Sequence, residues 1–337
     1  MRKLDVFNHI YPSRYFEGVM RVAPDYKDIG KRMRSIPMLV DLDERFRVMD
    51  LFDDYQQVLS IATPPIDAYA SPRDAVDLAR RANDGMAELV SAHPDRFPAF
   101  VASLPLTHPD DAQAELHRAV GDLGARGIQI FSNINGQPLD RLEHLALFDT
   151  MAGYDLPVWL HPYRGAEMPD YSSEARSRFE IWWTFGWPYE TSAAMARLVF
   201  AGLFERHPAM KVITHHMGAM VPYFAGRVGP GWDQLGSRTS DEDYSELRRS
   251  LKKRPIDYFR MFYGDTALFG AYDATVCGLQ FFGVDHVVFA SDAPFDPERG
   301  PMYIRETIRI VDRLPITEEE REQIYWKNAV ELLKLEL

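Results

Sequence analysis

Residues 286–294 read HVVFASDAP. Four apolar residues, Val287 to Ala290, lead into Ser291, the carboxylate of Asp292 and a chain-breaking Pro294. A run that is apolar on both faces suits a strand buried on both sides, as in a parallel sheet covered by helices. The carboxylate then stands at the C-terminal end of that strand. The same order recurs upstream in KLDVFNH (3–9), VLSIAT (58–63), FPAFVASL (97–104), GIQIFS (127–132), PVWLHP (157–162), KVITHH (211–216) and MFYGDTA (261–267). Seven of the eight runs finish on or near a polar residue: His9, Thr63, Ser132, His161, His216, Asp265 and Asp292.

Between the runs lie segments of helical spacing. In SPRDAVDLARRANDGMAELVSAHP (71–94), Ala75, Val76, Leu78, Ala79 and Ala82 make one apolar face, and Ser71–Pro72 predicts the N-cap and first turn. HPDDAQAELHRAVGDLGARG (108–127) predicts a helix closed by Gly124 or Gly127. Eight strands alternating with helices give an α/β protein with a parallel sheet. No G-x-G-x-x-G follows the first strand, so a dinucleotide-binding open sheet is disfavoured. A closed (β/α)8 TIM-like barrel brings all the polar strand ends to one face, where such barrels carry their chemistry. The expectation is one barrel domain over 1–337. Two excursions, 10–57 and the aromatic-rich 163–197, should lie over the C-terminal face.

Composition narrows the function. Of 337 residues, 46% are hydrophobic and 26% charged, which suits a soluble globular protein. A net charge of −12 argues against a nucleic-acid partner. No stretch has the length of apolar residues a membrane span needs, and the N-terminus lacks the apolar core of a signal peptide. A cytoplasmic enzyme for a small molecule is the expectation. The single cysteine, Cys277, excludes an intrachain disulfide or a cysteine-based zinc site and reads as a core residue.

His9, His161, His216 and Asp292 come from four separate strand ends. Imidazoles and a carboxylate converging on a barrel mouth suit one divalent ion, zinc or manganese first. His215 and His216 are adjacent, so on a strand only one of them can face the pocket. His93, His108, His117, His144, His207 and His286 fall in loops or helices and read as structural or surface residues. Arg45 and Arg47 share a predicted helix; either a solvated face or a carboxylate clamp would explain them, with Arg47 ahead. Arg164, two residues after the His161 strand, could reach a substrate carboxylate. Trp182, Trp183, Trp187 and Tyr189 form either packing for the excursion or a wall for a flat substrate.

Several stretches in order, DVFNHIYP, RFRVMD, LHP (160–162), the long FGWPYETSAAMARLVFAGLFERHPAMKVITHHMGAMVPYFAGR, GVDHVVFASDAPF and KNAVELL, resemble the aminocarboxymuconate-semialdehyde decarboxylase-like branch of the amidohydrolase superfamily. The resemblance implies a (β/α)8 barrel, a homodimer and one divalent metal held by His9, His161 and Asp292. The family's first strand usually carries a further ligand two residues before His9, where this chain has Phe7. The H-x-G-x-x-x-P spacing matches His216, not His215, to the catalytic histidine. The resemblance also implies proton transfer by Asp292 and places Glu190, Arg47 and Arg227 at the substrate pocket. The activity implied first is non-oxidative, metal-dependent decarboxylation of a small aromatic or enol carboxylate. The alternatives are hydrolysis of a lactone or amide (or hydration) at the same site, and a metal-independent or degenerate member of the family.

Overall fold

A computed structural model describes residues 1–27 and 29–336. The eight strands are β1 (Lys3–His9), β2 (Tyr55–Ser60), β3 (Ala99–Phe100), β4 (Ile128–Phe131), β5 (Val158–His161), β6 (Val212–Thr214), β7 (Tyr263–Asp265) and β8 (Val287–Val288). Pairing is parallel throughout, in the order β1–β2–β3 and β4–β5–β6–β7–β8. A parallel bridge between Ala102 and Ile128 joins the two sets. On the other side, Val6 N donates to Phe289 O at 3.0 Å, Asp292 N to Phe7 O at 2.9 Å and His9 N to Ala293 O at 2.8 Å. The ring of strands is thereby closed by hydrogen bonds across both gaps, and the fold is the expected TIM-like barrel.

The strand cores match the apolar runs, but most are shorter than the runs that announced them. β2 is displaced instead, starting at Tyr55 and ending at Ser60. Its Gln57 is fully buried, its side-chain oxygen taken up by Arg45, so a polar residue sits where apolarity was the guide. The helix Pro72–Ala92 begins as predicted, with Ser71 Oγ accepting from Asp74 N. The helix Pro109–Gly121 stops short of both predicted glycine caps; Asp122 is the C-cap and Gly124 turns the chain afterwards at φ +76°.

One large apolar cluster includes strand and helix side chains alike; a smaller one includes Phe7, Trp159, Ile213 and Val288 together with the C-terminal Leu332 and Leu333. Trp159 is completely buried, and its Nε1 donates to Val6 O at 2.9 Å, tying β5 to β1. Among the described residues no helix is long and apolar enough to cross a membrane.

Candidate active site

The C-terminal strand ends place His9, His161, His215, His216 and Asp292 together, all buried. His9 Nε2 is 3.0 Å from Asp292 Oδ1. His215 Nε2 is 3.3 Å from the same oxygen, and His216 Nε2 is 3.6 Å from Oδ2. One ligand atom each of His9, His161 and His215 lie within 4.8 Å of one another, and so do those of His215, His216 and Asp292. His215 is thus common to both groups. The expectation that only one of the adjacent histidines faces the site is corrected here. It assumed that the strand continues, whereas β6 ends at Thr214. His216 then takes φ +58°, a left-handed conformation uncommon outside glycine, and its ring stacks on that of His215 at 3.8 Å.

The hydrogen bonds on the far side of each ring fix which nitrogen faces the cluster. His161 Nδ1 is 2.7 Å from Pro162 O, and a carbonyl can only accept, so Nδ1 carries the proton. The Ser60 hydroxyl donates to Asn8 O, so its oxygen is left to accept from His9 Nδ1 at 3.3 Å. His215 Nδ1 donates to Asp265 Oδ2 at 2.5 Å. All three rings therefore keep Nδ1 protonated and leave Nε2 for the cluster. Neither His215 Nε2 nor His216 Nε2 has a hydrogen-bond partner. Three imidazole Nε2 atoms and a carboxylate turned toward one another are a donor set that fits a divalent cation.

Burial and neighbouring charge set the protonation of each group. Burial, against the pull of Asp292, holds the pKa of His9 below the usual histidine range. Burial and then the charges of His215 and His9 push His161 much lower. Burial also works against charge on His215, but the carboxylates of Asp265 and Asp292 outweigh it and raise its pKa to about 9. For Asp292, burial favours the neutral acid, but the charge of His215 and the close imidazoles of His216 and His9 overcome that and hold it ionised.

A cavity of about 400 Å³ opens above the cluster. His9, His161 and Asp292 line its floor side, with Thr63, Phe269, Phe295 and Tyr303. The 163–197 excursion contributes Glu180, Trp182, Trp183 and Trp187; the 10–57 excursion contributes Ile29, Lys31 and Arg32. The tryptophans therefore form a wall as well as packing: Trp187 is edge-on to His161 at 5.9 Å and to Trp182 at 5.7 Å.

The expected arginines are elsewhere. Arg47 has a 62% exposed side chain and makes a two-pronged pair with Glu44, 2.7 Å at each contact. It lies on the solvated helix face, outside the cavity. Arg45, two residues earlier on the helix Leu42–Met49, points inward and is completely buried. It donates to Gln57 Oε1 at 2.6 Å, to Met38 O, to Asn8 Oδ1 and to His9 O. Arg164 and Glu190 hold each other at 3.0 Å, with Glu190 also accepting from Asn133, so both brace the excursion instead of lining the cavity. Arg227 lies over Phe224 in a separate, more open groove of about 970 Å³. The sequence does not single out Arg32. Its Nη2 donates to Phe295 O and Asp296 O, and among the described residues it has no carboxylate partner. Nothing in DIGKRMRS distinguishes it from Lys31 or Arg34.

A closed parallel barrel with histidines and an aspartate gathered at its strand ends is the architecture of the amidohydrolases, and the chain belongs to that family: the amidohydrolase family model matches residues 6–335. Among curated proteins it is similar to a gamma-resorcylate decarboxylase of Polaromonas sp. (strain JS666), 31% identical over 322 residues, spanning 92% of this chain and 91% of that one. It also resembles a 2-amino-3-carboxymuconate-6-semialdehyde decarboxylase of Dictyostelium discoideum, 30% identical over 309 residues, spanning 91% and 80%. Among solved structures, the dihydroxybenzoic acid decarboxylase of Polaromonas sp. JS666, with bound manganese and the inhibitor 2-nitroresorcinol, superposes with a TM-score of 0.78 at 27% identity, covering 99% of this chain and 97% of that one.

Proposed function

We propose that this barrel is a metal-dependent, non-oxidative decarboxylase of a small hydroxylated aromatic carboxylate. The observation that carries the reading is the pairing of the buried histidine–aspartate cluster with an aromatic-walled cavity of about 400 Å³, room for a single substituted ring. The relatives named as decarboxylases of dihydroxybenzoates and of a carboxymuconate semialdehyde point the same way. In this reading His9, His161 and Asp292 hold one zinc or manganese ion. When bound, such an ion acts as a Lewis acid on the oxygens beside the scissile bond.

The chain's own residues supply the rest. Trp182, Trp183, Trp187 and Phe295 flank the ring and keep water from it. Arg32, with Lys31, orients the acid group by charge. Replacing carbon dioxide on the ring requires one proton at the carbon that bore it. Asp292, ionised at rest, takes a proton from the substrate's ring hydroxyl or from solvent through a water held by His216, whose Nε2 lies 3.6 Å from Asp292 Oδ2, and passes it to that carbon. The bonding pair of the departing carboxylate returns to the ring, so no oxidant is needed. On this reading the chain is one barrel domain over 1–337, cytoplasmic and, as the family resemblance implies, homodimeric.

The test is a panel of 2-hydroxy- and 2,6-dihydroxybenzoates, followed by carbon dioxide and phenol release. Activity should vanish on chelation and return with manganese or zinc. Acid release from lactones or amides, with every benzoate inert, would favour the hydrolytic alternative.

A further inference from the structure

Phe7 and His9 point to the same side of β1, so Phe7 brings an apolar ring into the circle of donors. Its centroid is 5.7 Å from that of His9, 5.6 Å from His161 and 3.8 Å from His215. The last contact is a true stack, with planes 15° apart. A phenyl ring cannot bind a cation as a ligand, so β1 offers only His9. The ring stacked on Phe7 is an imidazole whose Nε2 is buried, unpartnered and within reach of His9, His161 and Asp292.

The surroundings of His215 are those of a metal ligand. Its Nδ1–H is held by Asp265 Oδ2 at 2.5 Å. The other oxygen of Asp265 is fixed by His216 N and Ala267 N, both at 3.0 Å. A carboxylate held from behind that holds a histidine from behind is the arrangement that sets the tautomer and aims Nε2 at an ion. Phe7 on one face and His216 on the other sandwich the ring at 3.8 Å each. His215 can therefore neither flip nor swing away, while His216, at the edge of the cluster beside Phe269, is free of that clamp.

We propose that His215 is a metal ligand, so that the ion is held by His9, His161, His215 and Asp292, with the β6 imidazole supplying the donor that Phe7 does not. The inference rests on the metal of the proposed function and gives that site its fourth protein ligand. Two neighbouring histidines thereby divide the work, His215 binding the ion and His216 serving the proton.

The experiment uses metal-stripped full-length protein titrated with zinc and with cobalt(II), comparing wild type, His215→Gln, His216→Gln and His215→Gln combined with Phe7→His. Affinity is read by competition with a chromophoric chelator, and the number of imidazoles by X-ray absorption on the zinc form. The expected count is three imidazoles in wild type and two in His215→Gln. Affinity should fall about 100-fold or more in His215→Gln, beyond the loss of an outer partner. His216→Gln should keep both count and affinity. Phe7→His, by putting an imidazole back on the β1 side, should recover binding in the double variant even if the single variant is less stable. An unchanged count and affinity in His215→Gln overturns this inference and leaves the three-ligand site standing. Failure of wild type to take up either ion overturns both.

Discussion

The 2.5 Å contact between His215 Nδ1 and Asp265 Oδ2 decides which nitrogen of His215 faces the cluster. Asp265→Asn tests it with little change of shape. The amide oxygen would keep the two backbone donors of His216 and Ala267, which leaves the amide nitrogen against His215. An amide nitrogen donates, so Nδ1 must lose its hydrogen and Nε2 must carry it. The variant should fold normally and lose roughly 10- to 100-fold in metal affinity, measured by chelator competition. Wild-type affinity would mean that the tautomer of His215 is irrelevant to the site.

Arg32 and Arg47 should behave oppositely. Arg32 lines the cavity, so Arg32→Gln should raise KM for a carboxylate substrate about 10-fold or more, the value of one charge-assisted hydrogen bond, with a smaller change in kcat. Arg47→Ala should leave both constants and the melting temperature almost unchanged, because its pair with Glu44 is exposed. Steady-state kinetics on the two variants settle which arginine meets the substrate.

Much of this arrangement is legible in the sequence. His9, His161 and Asp292 stand out because each ends an apolar strand, and barrel closure makes such ends neighbours. The run KLDVFNH coincides with β1, Lys3–His9. The choice between Arg45 and Arg47 is not legible: both sit on one short helix, and two positions apart they face opposite ways. The pairing of His215 with His216 escapes a sequence reading because alternation holds only while a strand lasts, and here it ends one residue earlier. The signal is present in Asp265, a carboxylate at the end of the adjoining strand that His215 alone can reach with Nδ1. Arg32 lies in a polar excursion, where spacing carries no information about the direction of a side chain.

Arg45 is a buried cation whose direct partners are neutral oxygens, and burial lowers its pKa to about 10. Arg45→Ala should cost about 3 kcal/mol or more, since it strips Gln57 Oε1, Asn8 Oδ1 and two carbonyls of their donor. Because the His9 carbonyl is among them, metal affinity should drop with stability. Denaturant unfolding and metal titration on the same sample check both.

Two glycines give a packing control. A Cβ at Gly278 would run into Met217 Cγ, and Met217 follows His216 directly. Gly278→Ala should destabilise by about 1–3 kcal/mol through overpacking and disturb activity through the His216 turn. At Gly153, inside the helix Leu142–Tyr154, a Cβ meets nothing within 4 Å. Gly153→Ala should stabilise by about 0.5–1 kcal/mol with activity unchanged. Thermal melts with activity assays separate the two.

Asp5 sits below the cluster and accepts from Phe7 N, Ser291 N, Ser291 Oγ and Tyr55 OH. Burial outweighs these bonds and raises its pKa from 3.8 to about 6. The native state therefore holds the proton more tightly than the unfolded chain. The contribution of Asp5 to stability is complete below about pH 4 and is lost as pH rises through 6, up to roughly 3 kcal/mol in all. In chelator, the stability difference between wild type and Asp5→Asn should shift against wild type over that window. A pH-independent difference would place the pKa of Asp5 at its unfolded value.

Decarboxylation in this cavity means that a proton replaces a carboxylate on an aromatic ring. It is read most directly from the reaction of 2,6-dihydroxybenzoate with metal-loaded protein in D₂O enriched in ¹⁸O, followed by mass spectrometry and NMR of the product. The expected product is resorcinol with one deuterium at the carbon that carried the carboxylate and no ¹⁸O on the ring, with carbon dioxide as the first gaseous product. Water oxygen incorporated into an organic product, with the carboxylate still in place, would contradict it.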